Sequence, residues 1–225
     1  MRASTARLAV LDSGRPASKG ATDESGSTLQ GNVPERCELA LLLIDVINDF
    51  EFPDAERLYQ QARPAARVIA ALKARAAAAG VPCIYANDHF GRWRSDFRAQ
   101  VKHCLKDGVR GAPIVRQLLP EPSDYFVLKP KHSAFYETCL MTLLEHLGAR
   151  RLILAGFTSD MCLGMTATDA YLRGYSLIIP RDASAAITPT AHAGALAQLR
   201  RVVHAETPRA GAIDLRRELA AARER

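Results

Sequence analysis

Several common signatures are missing from this sequence, and each absence removes a class of function. No apolar run approaches the roughly 20 residues of a membrane span, and the N-terminus has no signal-peptide core. The expectation is therefore a soluble, cytoplasmic protein with no membrane partner. The five cysteines, Cys37, Cys83, Cys104, Cys139 and Cys162, are odd in number and show no C-x-x-C spacing. That argues against both a disulfide framework and a zinc knuckle. Neither a G-x-G-x-x-G turn nor a P-loop is present, which weakens a flavodoxin-like nucleotide-binding reading, and no internal repeat divides the chain. Aromatic residues are only 6% of the total and the net charge is a modest +6. The densest basic stretch, Arg92, Arg94, Arg98, Lys102, Lys106 and Arg110, is interrupted by Asp96 and Asp107 and offers few rings for base stacking. It reads as a solvated or intersubunit face, and no nucleic-acid partner is expected.

What is present suffices for one core: 225 residues, 48% of them hydrophobic. Residues 1–36 are rich in Ser, Thr, Gly and Arg without apolar periodicity and read as a flexible arm, while Asp12, Asp23, Glu24 and Glu35 argue against a transit peptide. Residues 37–225 read as a single domain, with 207–225 a C-terminal tail or helix. Strands are expected at Leu39 to Asp45, Pro82 to Asn87, Tyr125 to Lys129, Arg151 to Gly156 and Ser176 to Pro180. Between the first two, Ala65, Val68, Ile69, Leu72 and Ala76 recur at helical spacing, with Pro64 at the first helical position and Gly80 as the stop. Leu140, Leu143, Leu144 and Leu147 repeat the pattern before Gly148, as do Ala167, Ala170 and Tyr171 before Gly174. Regular alternation with strands apolar on both faces implies an α/β three-layer sandwich, a mainly parallel sheet of about five or six strands with helices on both faces.

In such sheets ligands bind beyond the carboxyl ends of the strands. Asp45 and Lys129 end two strands there, and Cys162 follows a third and opens a helix. A thiol at a helix N-terminus is expected to be acidified by the dipole and the unpaired N–H groups, and so to be nucleophilic.

Three segments carry these residues: Leu-Leu-Ile-Asp45-Val-Ile-Asn48-Asp49-Phe50, Lys129-Pro-Lys-His-Ser133-Ala134-Phe135, and Gly156-Phe157-Thr158-Ser159-Asp160-Met161-Cys162. Together, and in this order, they resemble the isochorismatase-like cysteine hydrolase superfamily, which includes nicotinamidases, carbamoylsarcosine and ureidoacrylate amidohydrolases and isochorismatase. The resemblance runs from about Leu39 to about Ala186. It implies Asp45 as general base, Lys129 as the cation holding Asp45 and the thiolate, and Cys162 as nucleophile. It also implies a cis peptide at Phe157-Thr158, with the N–H groups of Thr158 and Cys162 receiving the oxyanion. A homodimer or homotetramer is expected on the same ground.

The chemistry such a set supports is thiol attack on a carbonyl of a small molecule, with Asp45 taking the thiol proton, protonating the leaving amine and then activating water against the thioester. Cleavage of an amide, ureido or carbamoyl C–N bond without a cofactor is therefore the leading expectation. The alternatives are vinyl-ether hydrolysis of the isochorismatase type, whose enzymes often lack this cysteine, and an inactive binding or scaffold protein of the same fold. Lys131 competes with Lys129, but spacing to Ser133-Ala134-Phe135 favours Lys129, leaving Lys131 and His132 to solvent or the pocket rim. Substrate contacts are expected from Asn48, Phe50, Trp93, Phe135 and Tyr136, with Phe90 and Phe157 as further apolar lining. No metal is expected: nicotinamidases of this superfamily use an Asp-x-His pair with a later His, whereas Asp88 and His89 are adjacent and His103 lies in a helical stretch.

Overall fold

A computed structural model describes residues 36–89, 91 and 96–224. The expected arm, except Arg36, lies outside them, as do Phe90 and Trp93. The strands are β1 (Leu39–Ile44), β2 (Cys83–Asp88), β3 (Tyr125–Lys129), β4 (Arg151–Phe157), β5 (Ser176–Ile178) and a two-residue β6 (Ser184–Ala185). They form one sheet in the order β3-β2-β1-β4-β5, with β6 beside β4, and every pairing is parallel. The helices are α1 (Ala55–Ala78), α2 (Phe97–Cys104), α3 (Ala112–Val115), α4 (Leu140–Leu147), α5 (Cys162–Leu172), α6 (Pro189–Val202) and α7 (Leu215–Arg223). Stretch 207–225 thus contains a helix. Among the described residues no helix is long and apolar enough to cross a membrane.

Side chains alternate across a strand, and β1 shows the consequence. Leu39, Leu41 and Leu43 pack into one core with Ala62, Ala66 and Ile69 of α1 and Leu215 of α7. Ala40, Leu42 and Ile44 pack into a second core with Leu144 of α4, Leu163 and Ala167 of α5 and Leu199 of α6. Burial on both faces is why β1 reads as a continuous apolar run.

Pro64, expected at a helix start, lies instead inside α1. Its ring leaves the Gln60 carbonyl without the usual N–H partner. The buried stripe Leu58, Ala62, Ala65, Ala66 and Ile69 nevertheless runs through it, so the apolar contacts on both sides carry the helix across. Gly80 does stop α1, at φ +70°, the left-handed conformation glycine tolerates best.

The order of the strands fixes where a ligand can sit. From β1 the chain moves outward to β2 and β3; it then returns to β4 on the other side of β1 and continues to β5. The reversal falls between β1 and β4, and a crevice at the carboxyl ends opens at such a switch point.

Candidate active site

Asp45 is the first residue beyond β1 and Cys162 the first of α5, which follows β4, so the two straddle the switch point. Asp45 adopts φ +50°, a left-handed turn that Asp tolerates better than most residues. Its N–H still donates to the Ala86 carbonyl at 3.0 Å, which holds the turn against β2. Lys129 ends β3, two strands away, a separation of about 10 Å at normal strand spacing. Only a long side chain spans that gap, and Lys129 crosses beside Asp88, its register partner on β2.

The Lys129 ammonium ends 2.9 Å from Asp45 Oδ2 and 3.9 Å from Asp88 Oδ2, and donates to the Lys131 carbonyl at 3.2 Å. Asp45 Oδ1 accepts the Asp88 N–H at 2.7 Å. Cys162 is half-buried and lies close enough to Asp45 and Lys129 for both charges to act on its thiol. The structure therefore gathers Asp45, Lys129 and Cys162 into one cluster. The peptide between Phe157 and Thr158 is cis. Among the described residues, neither the Thr158 nor the Cys162 N–H has a backbone acceptor, so both can donate to a substrate oxygen lying against the thiol.

Electrostatics correct one expectation. The Cys162 thiol is not acidified: burial, and then the negative charge of Asp45, push it up to about 12, outweighing the opposing pull of Lys129. A helix N-terminus lowers a thiol pKa only where the charged form is not already penalised by desolvation and a neighbouring anion. Burial also raises the Asp45 carboxyl, against Lys129 and the Cys162 and Asp88 hydrogen bonds. For Lys129 burial acts in the opposite direction, but Asp45, Cys162 and Asp88 outweigh it and hold the amine above the ordinary lysine value. The cluster thus shares its protons tightly, with a protonated amine and a thiol that ionises only when a neighbour takes the proton.

The expected substrate contacts divide. Tyr136 is exposed and, with Asp88, Pro130, Lys131 and Glu137, lines a cleft of about 820 Å³ beside Lys129. Phe50 and Phe157, expected at the pocket, are 0% and 1% exposed and pack edge-to-face on each other in the core against α1. Phe135 likewise points into the second core, tilted against Tyr175, with the Arg173 guanidinium over its ring at 5.0 Å. These three rings are drawn inward because the apolar area they remove from water has no equivalent at a wet cleft. Asn48 uses its side-chain oxygen to accept the Phe50 N–H at 2.8 Å, closing a turn. The expected contact from Trp93 lies outside the described residues.

Among the described residues, no group of three or more His, Cys, Asp or Glu side chains is placed to hold a metal ion. His103, on α2, pairs with Asp49 at 3.1 Å. The residue that sequence reasoning underrated is His132: its Nδ1 lies 3.5 Å from Cys162 Sγ. Its position after β3, close to Lys129, pointed to the rim but gave no sign that its ring turns toward the thiol.

A parallel α/β sheet that gathers a carboxylate, an amine and a thiol at its switch point defines the class: an α/β protein with a polar cluster at the carboxyl edge. The chain belongs to the isochorismatase family, whose domain model matches residues 39–208. The isochorismatase family protein YaaI of Bacillus subtilis is 39% identical over 171 residues, covering 76% of this chain and 93% of that protein. Among solved structures, an isochorismatase family protein from Desulfovibrio vulgaris is 27% identical with a TM-score of 0.65, covering 82% of this chain and 100% of that one. The N-carbamoylsarcosine amidase of Thermoplasma acidophilum is also 27% identical, with a TM-score of 0.57, covering 79% of this chain and 99% of that one.

Proposed function

We propose that the protein is a cysteine hydrolase that cleaves an amide, ureido or carbamoyl C–N bond of a small molecule through a thioester on Cys162. The observation that carries this reading is the cluster in which Lys129 pairs with Asp45 at 2.9 Å and both charges act on the neighbouring Cys162 thiol. A high thiol pKa suits it, because proton transfer to Asp45 is then coupled to attack rather than preceding it. As sulfur bonds to the carbonyl carbon, Asp45 accepts the thiol proton and Lys129 balances the charge. Oxygen takes up negative charge opposite the N–H groups of Thr158 and Cys162. Collapse breaks the C–N bond, and Asp45 returns its proton to the leaving nitrogen. Water then releases the acid and restores the thiol.

The family's amidase member, N-carbamoylsarcosine amidase, supports a C–N substrate. A vinyl-ether substrate is less well supported, since it leaves the thiol beside Asp45 without a task. The test is a screen of small amides, ureido acids and carbamoyl compounds, scored by release of ammonia or amine. Cys162→Ala should lower kcat by about 10³-fold or more. Retention of turnover in that variant would sink the proposal.

A further inference from the structure

Asp45 serves the acylation half from a buried position, and the deacylation half can draw on a second base on the open side of the thiol. Both Asp45 oxygens are engaged from within the protein, by Lys129 and by the Asp88 N–H. His132 approaches Cys162 from the exposed side, with Nδ1 3.5 Å from Sγ. Its segment is fixed at both ends. Lys131 accepts Lys129 through its carbonyl, Ser133 Oγ donates to the Asp169 carboxylate, and the Ala134 N–H donates to Thr166 Oγ1 at 3.0 Å. Thr166 Oγ1 itself donates to the Cys162 carbonyl at 2.7 Å, so imidazole and nucleophile are held on one frame.

We propose that His132 is a further catalytic residue, the base that activates water against the thioester and the acid that reprotonates the departing sulfur. The inference rests on the cysteine-hydrolase reading. In the tautomer with the proton on Nε2, Nδ1 is free to accept a proton. It takes one from water as the water oxygen bonds to the thioester carbon. The C–S bond then breaks, sulfur leaves with the bonding pair, and the imidazolium returns the proton across the short gap to Sγ. The products are the acid, the Cys162 thiol and neutral His132, so atoms and charge balance. Asp45 and Lys129 keep their partners throughout this half, which suits their burial.

p-Nitrophenyl acetate, whose activated acyl group loads nucleophilic thiols, separates the two halves. The wild-type protein should give a burst of nitrophenolate, then a slower steady rate, with acetyl found on Cys162 by peptide mass spectrometry. In His132→Asn the burst should persist while the steady rate falls about 10²-fold and acetyl-Cys162 accumulates. Added imidazole should restore the steady rate of His132→Ala, which a merely structural loss would not permit. An acetyl group leaving Cys162 of His132→Asn at the wild-type rate overturns the role of His132 and leaves the hydrolase reading standing. A fall in the burst without accumulation of acetyl-Cys162 also overturns it. A wild-type protein never acetylated on Cys162 sinks both.

Discussion

At Cys162 three influences set the thiol: burial and the Asp45 charge raise it, and the Lys129 charge lowers it. Removing either neighbour should therefore move thiol reactivity in opposite directions. Asp45→Asn deletes an anion that opposes the thiolate, so the thiol pKa falls from about 12 and more thiolate exists at any pH below it. Each unit of fall is about a tenfold gain in thiolate, and iodoacetamide should label Cys162 of this variant at least about tenfold faster near pH 8. Lys129→Ala removes the only one of the three that favours the thiolate, and labelling should slow. In the wild type the rate should climb from about pH 7 to about pH 10 without a plateau, since thiols ionise in proportion to pH below their pKa. The rates are read on the Cys162 peptide by mass spectrometry, because exposed Cys139 also reacts. Slower labelling in Asp45→Asn would show that the carboxylate does not oppose the thiolate.

Strand β4 delivers the Thr158–Cys162 turn, and its approach to β1 depends on Gly156. This residue has φ +117°, and a Cβ placed there would lie 2.1 Å from the Ile44 carbonyl oxygen, one residue before Asp45. Gly156→Ala must therefore force two paired strands apart as well as strain the backbone. A cost above about 4 kcal/mol, or insoluble protein, is expected. Gly174→Ala is the control: φ is +85° but nothing lies within 4 Å of its Cβ, so only the backbone penalty of about 1–2 kcal/mol applies. Urea unfolding of the two variants measures the difference, and equal midpoints would refute the close-approach argument. Such packing is invisible in a sequence, whereas the strands themselves are not. Leu39 to Ile44 and, after Arg151, Leu152 to Phe157 are doubly buried and so announce themselves as unbroken apolar runs. Strands ending in Asp45 and Lys129 pointed to one edge of the sheet for the same reason. Ring direction was not legible, since Phe50, Phe135 and Phe157 have the same composition whether they face a cleft or a core. Nor was the thiol's proton affinity, which depends on how much water Asp45 and Cys162 lose together. Two-residue β6 has too little sequence to carry any pattern.

Lys129 holds its place only if β3, at the edge of the sheet, is held to the rest of the molecule. Beyond its pairing with β2, one buried cation contributes to that. Lys73 of α1 reaches the stretch leading into β3, bonding the Leu119 carbonyl at 2.9 Å and pairing with Asp124 at 2.7 Å. Both side chains are less than a tenth exposed, and Lys73 also lies over the Tyr85 ring of β2 at 5.6 Å. Arg151 plays a similar part elsewhere, joining Glu206 and Glu218 and so fastening α7 to the start of β4. Buried pairs of this kind add little over apolar side chains of the same volume, but losing one partner strands the other charge. Lys73→Met should therefore cost about 3–5 kcal/mol in urea unfolding, while Lys73→Met with Asp124→Leu should recover most of it. Because β3 carries Lys129, the single variant should also lower kcat on any substrate found, and the double variant should restore it in parallel with stability. If stability returned without kcat, the pair would have a role in positioning Lys129 that packing alone cannot replace. If Lys73→Met lost less than about 1 kcal/mol, the ion pair would be behaving as a solvated surface contact, and β2 pairing with the packing of Phe126, Val127 and Leu128 would be what secures the edge.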